Sequence, residues 1–101
     1  MIRVGYWRSS AEPNLPDPSA FVDPNWDPQT RAFVIDYLNQ GLVRASYRGM
    51  SICRICRQWN GSRDLTDGVY VWPEGLAHYL ESHHVRLPDV FVVHASNTVR
   101  K

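Results

Sequence analysis

The sequence predicts an α+β fold: one small domain over residues 1–101, with a short antiparallel sheet and two main helices. Three observations predict it. With 101 residues, 44% of them apolar and 21% charged, the chain has the length and composition of a single globular domain. Apolar residues recur at helical spacing in two stretches, near 28–40 and 73–84. Around these lie short runs of β-branched and aromatic residues bounded by turn formers. Four tryptophans, five tyrosines and three phenylalanines supply much of the area that so small a core can bury.

In order, "IRVGYW" from Ile2 reads as a short strand. The next segment, "AEPNLPDPSAFVDPNWDP", holds five prolines in residues 11–28. Proline fixes its own φ and pushes the preceding residue towards extended geometry, so neither a helix nor an inner strand fits. Leu15, Phe21, Val22 and Trp26 sit within it, which predicts an ordered Pro-rich loop over 8–27, pinned by those side chains. Asp27 as N-cap and Pro28 at the first position start a helix. Phe33, Val34, Tyr37 and Leu38 form its apolar face, and Gly41 supplies the stop.

"LVRASYR" then reads as a strand ended by Gly49, and "SICRIC" as a short β-prone run. "NGSRDLTDG" is turn chemistry, and "VYVW" a strand. Pro73 opens the second helix, "PEGLAHYLESHH", with Glu74 near its positive end. "LPDVFVVH" reads as a last short helix from Pro88. Trp72, Leu76, Tyr79 and Leu80 are expected in the core, with Phe33 and Leu38 opposite.

Cys53 and Cys56 are the only cysteines. Two residues between them lets both thiolates reach one metal ion. A short strand with CxxC, a long turn, a strand and a helix with histidines is the order of a ββα zinc-finger-like unit, here spanning 50–84. His78 and His83, with four residues between them, complete the donor set Cys53, Cys56, His78 and His83. His84 or His94 could replace one of the histidines.

Three features count against this metal reading. The gap from Cys56 to His78 is 21 residues, longer than the roughly 12 of a standard finger. A helical wheel with Leu76 at zero puts His83 at about 340° and His78 at about 200°, so a straight helix does not aim both at one ion. Arg57 occupies the position after the second cysteine, where a positive φ would favour glycine. The competing readings are two reduced thiols packed as small core residues, and a redox pair that lacks its usual βαβ setting.

The stretch "CRICRQWNGSRDLTDGVYVWPEGLAHYLESHHVRLP" resembles a family of small, uncharacterised bacterial proteins with the pattern CRxC, a polar turn, TDGxYxWPEGLAHY and HxVxLP. The resemblance covers about a third of the chain firmly. It implies that Cys53, Cys56, His78 and His83 are that pattern's cysteine and histidine positions, and it implies no activity.

Charge narrows the function classes. The net charge of +1 gives no global field towards nucleic acid or membrane. Residues 12–36 carry five acids and one base, whereas 44–63 carry five arginines and no acid. Arg44, Arg48, Arg54, Arg57 and Arg63, with Trp59 among them, are the candidate binding residues. No run approaches the roughly 20 apolar residues of a membrane span, and the start reaches charge and proline too early for a secretory signal. The expectation is a cytoplasmic protein with reduced thiols.

The expected function is a small zinc-stabilised binding module with a protein partner. Nucleic-acid binding through Arg44–Arg63 is the alternative, and a small zinc- or Cys/His-dependent enzyme the second. The chain has no Walker loop, HExxH helix or GxSxG turn to strengthen the enzyme reading.

Overall fold

A computed structural model of the chain describes residues 1–99; Arg100 and Lys101 lie outside the described residues. The elements are β1 (Ile2–Arg3), a 3₁₀ turn (Pro18–Phe21), α1 (Pro28–Asn39), β2 (Leu42–Ser46), β3 (Arg63–Thr66), β4 (Tyr70–Pro73), α2 (Leu76–His83) and α3 (Asp89–Val99). This is the expected α+β class, with three α-helices where two main ones were expected. The sheet order is β1-β4-β3-β2. β2–β3 and β3–β4 are antiparallel and β1–β4 is parallel, so the sheet is mixed.

Helix α1 forms where its signals lie. The Asp27 carboxylate accepts the Thr30 N–H at 2.9 Å and Pro28 follows it. Its end has a different cause from the one expected. Gly41 is not left-handed; a Cβ there would meet the Trp72 ring at 2.6 Å. The indole passes so close because its Nε1–H donates to the Leu38 carbonyl at 3.2 Å, a helix-end acceptor that also takes the Gly41 N–H at 3.3 Å.

The sheet departs most from expectation at β3, where Arg63–Thr66 had read as turn. Only Leu65 of the four is buried, so the strand carries almost no apolar signal of its own. Pairing on both sides imposes it. Pro73 ends β4 instead of opening α2. Glu74 does not serve the helix N-terminus either: its carboxylate turns back to the Ser62 N–H at 2.7 Å and to the Arg63 guanidinium at 3.0 Å.

The core joins the sheet to all three helices. Trp72, Leu76, Leu80, Leu38, Val34 and Phe91 are essentially inaccessible, Tyr79 is buried, and Phe33 packs against the cluster half-buried. The proline-rich segment is tied mainly by backbone. Val22 bridges Val85, the Asp23 N–H donates to His84 O at 2.8 Å, and the Arg86 N–H donates to Phe21 O at 2.9 Å. Trp26 and Pro18 are buried there and Leu15 half-buried, but the Phe21 and Val22 side chains remain exposed.

Candidate metal centre

The CxxC segment folds into a tight knuckle outside the β3–β4 hairpin. Ile52 and Trp59 pair across its base, and the Cys53 N–H donates to Gln58 O at 2.9 Å. The Arg57 N–H donates to Cys53 O at 3.0 Å, and the Ile55 N–H points at Cys53 Sγ at 3.4 Å. Arg57 has φ 65°, the left-handed conformation that favours glycine at this point of a metal knuckle. The chain makes the turn with arginine instead. Asn60, just past the knuckle, crosses over Gly75 at the head of α2; a Cβ on Gly75 would meet Asn60 O at 2.2 Å. That close approach seats the cysteines beside the histidine helix.

His78 lies in the first turn of α2 and His83 is its last residue. The straight-helix objection fails because the last turn widens. The His84 N–H donates to Tyr79 O, spanning five residues rather than four, and His84 sits left-handed at φ 55°. In an i→i+5 turn, residues five apart approach the same side of the helix. The two imidazoles consequently face each other with ring centroids 5.0 Å apart.

Cys53, Cys56, His78 and His83 offer donor atoms that all lie within 4.8 Å of one another. Cys56 Sγ stands 3.3 Å from His78 Nε2. Cys53 is fully buried and the other three are half-buried. His83 Nε2 is buried with no hydrogen-bond partner among the described residues, a costly state for a ring nitrogen without an acceptor or a metal.

The electrostatics suit an electron-pair donor set. Burial, then the neighbouring His78, holds the His83 pKa below its ordinary value, which keeps the ring neutral. Burial pushes the Cys53 thiol up, but the amide donors of Cys56 and Ile55, together with the Cys56 and Tyr79 side chains, outweigh it and leave the thiol below its ordinary value. Two thiolates and two imidazoles in such a cluster could bind a metal, and S₂N₂ is a donor set that zinc accepts.

The other candidates separate. His84 is exposed, its Nδ1 3.1 Å from the Arg31 guanidinium. His94 Nε2 lies 2.7 Å from Asp67. Neither belongs to the cluster. Arg54 and Arg57 both stand exposed on the knuckle with Trp59, which is 76% exposed. A strand running from Leu42 to Gly49 would project Arg44 and Arg48, four residues apart, to the same side. Instead the pairing register shifts between Val43 and Ala45, and β2 ends before Arg48. Arg63 is neutralised by Glu74. The acidic segment finds its partners elsewhere, Glu12 with Arg3 and Asp23 with Arg86.

Two polar clusters escaped the sequence reading because they join distant segments. Asp67 accepts from Tyr37 Oη at 2.5 Å and lies beside His94, tying the β3–β4 turn to α1 and α3. Asp64 accepts from Tyr6 Oη at 2.8 Å and Tyr47 Oη at 2.7 Å. No signal in the local sequence marks either one. No family model, curated protein or solved structure matches the chain. No helix among the described residues is long and apolar enough to cross a membrane.

Proposed function

We propose that the protein is a small zinc-stabilised binding module, with Cys53, Cys56, His78 and His83 holding the ion and the knuckle surface engaging a protein partner. The convergence of four donors within 4.8 Å carries the metal half of this reading, and the orphaned His83 nitrogen supports it. Four protein ligands leave no open coordination position, which favours a structural ion over a catalytic one. Trp59, Met50 and Ile52 are exposed near Arg54 and Arg57, and aromatic and arginine side chains are the usual anchors of protein interfaces. The test is elemental analysis and thiol titration of protein purified without a metal-affinity tag. About one zinc per chain and two reduced thiols are expected, with loss of the metal and unfolding or strong destabilisation in Cys53→Ser. A metal-free, fully folded protein at neutral pH overturns the reading.

One observation favours nucleic acid as a second reading. Among the described residues, Arg44, Arg48, Arg54 and Arg57 have no carboxylate within ion-pair distance. If they contact phosphates, changing Arg54 and Arg57 together to glutamine flattens the dependence of log affinity on log salt by about two units. No binding to DNA or RNA at low salt removes this reading and leaves the first intact.

A further inference from the structure

A cleft of about 360 Å³ opens between the N-terminal segment and the chain from Tyr47 to Asp64. That volume falls in the range of small-ligand sites, roughly 300–1,000 Å³. Four aromatic side chains, Tyr6, Trp7, Tyr47 and Tyr79, contribute to its walls. The Trp7 ring is itself held between Phe21 and Tyr79, at centroid distances of 5.9 and 5.8 Å.

The charges lining the cleft do not all cancel. Arg3 is bound through two nitrogens to Glu12, at 2.9 and 3.1 Å, and Arg63 is bound to Glu74. Arg54 and Asp64 remain. The Arg54 guanidinium donates only to carbonyls, Ile52 O at 2.7 Å and Arg8 O at 3.4 Å. Asp64 accepts only the two neutral tyrosine hydroxyls. Among the described residues neither has an ion-pair partner. A carboxylate keeps lone pairs beyond two hydroxyl donors, and a guanidinium has five N–H groups of which two are used here.

We propose that this cleft binds a small zwitterion of amino-acid to dipeptide size, with its ammonium group on Asp64, its carboxylate on Arg54 and its side chain against Trp7 and Tyr79. A ligand of one charge would match one wall and leave the opposite charge desolvated without a counter-ion. A zwitterion answers both. The proposal goes beyond the protein-binding reading and rests on the metal clip only for the placement of Arg54, whose N–H donates to the Tyr79 hydroxyl at 2.8 Å.

The test is isothermal titration of the full chain with phenylalanine and glycyl-phenylalanine, and with phenylalanine blocked as its N-acetyl or its amide derivative. Metal content is measured on the same samples. At least one free zwitterion should bind, and each blocked form should bind about tenfold or more weakly. Arg54→Gln should erase the preference over the amide and keep that over the N-acetyl form; Asp64→Asn should do the reverse. The blocked-ligand series on the unaltered chain stands whether or not the variants fold. Absence of binding by both zwitterions, or affinity indifferent to blocking either end, overturns the proposal. Binding by a metal-free chain would sink the clip and spare the cleft; a metal-loaded chain that binds neither zwitterion would do the opposite.

Discussion

Arg57 shows how one residue can obey the geometry of a site while breaking its usual chemistry. Its φ of 65° costs an L-residue about 1–2 kcal/mol that glycine would not incur. The knuckle needs that turn because the Arg57 N–H closes onto Cys53 O while both cysteines face α2. Arg57→Gly should therefore keep the metal site and raise unfolding free energy by up to about 1 kcal/mol, the relief being partly offset by glycine's freer unfolded chain. Arg57→Val should lower it, since a β-branched side chain tolerates this region worst. Denaturant melts of the three proteins at fixed metal decide it, and a glycine variant clearly less stable than the parent would show that the arginine side chain contributes something the backbone argument omits. The departure at Arg57 was legible from the sequence; that the backbone would adopt the left-handed turn regardless was not, because the closing bonds come from neighbouring chain.

At the scale of elements, legibility followed locality. Helix α1 could be read because its cap, proline and apolar face lie within its own residues. β3 could not, since only Leu65 marks it and β2 and β4 supply its reason to be extended. Helix α3 was partly legible through the apolar run after Pro88; its Phe91 and Ala95 are buried, but its second anchor to the fold is His94 beside Asp67, 27 residues away. Burial pushes the Asp67 carboxyl up, yet the Tyr37 hydroxyl, the Tyr70 and Val69 amides and His94 together hold it below the ordinary aspartate value. A depressed folded-state pKa contributes stability that is fully present above the unfolded value and is lost as pH falls through the folded one. The Asp67 contribution should thus persist at neutral pH and fade below about pH 4. Asp67→Asn should melt lower than the parent at pH 7, and the gap should shrink as pH drops from about 5 to 3. A gap constant across that range would mean that the carboxylate charge does not matter and only the shape of the side chain does.

For the molecule as a whole, the four-donor cluster was the most legible feature of the site, because the spacing of Cys53, Cys56, His78 and His83 is written in the chain. What spacing could not reveal was the widened end of α2 and the crossing of Asn60 over Gly75, which together bring the two halves of the cluster to one point. A metal there would join a knuckle outside the sheet to both ends of α2, and α2 contributes Leu76, Tyr79 and Leu80 to the core. The rest of that core, around Trp72, Phe91, Tyr37 and Leu38, is held by ring contacts and an indole hydrogen bond that involve none of the four donors, although Cys53 belongs to the same buried cluster. Removing the metal should accordingly loosen the molecule in order. Amide exchange should quicken first over residues 50–60 and 78–85, while α1, β4 and α3 stay protected longer. The equilibrium effect can be sized. A ligand bound only by the folded state at about 1,000 times its Kd adds about 4 kcal/mol. A domain of this length shifts its midpoint by about 4–8 °C per kcal/mol, so chelation should lower Tm by about 15–30 °C. Returning zinc should restore it, and magnesium should not, since a hard cation does not take thiolate and imidazole donors. Equal melting points with and without chelator, on protein shown to have carried metal, would mean that the ion is bound but does not hold the fold together.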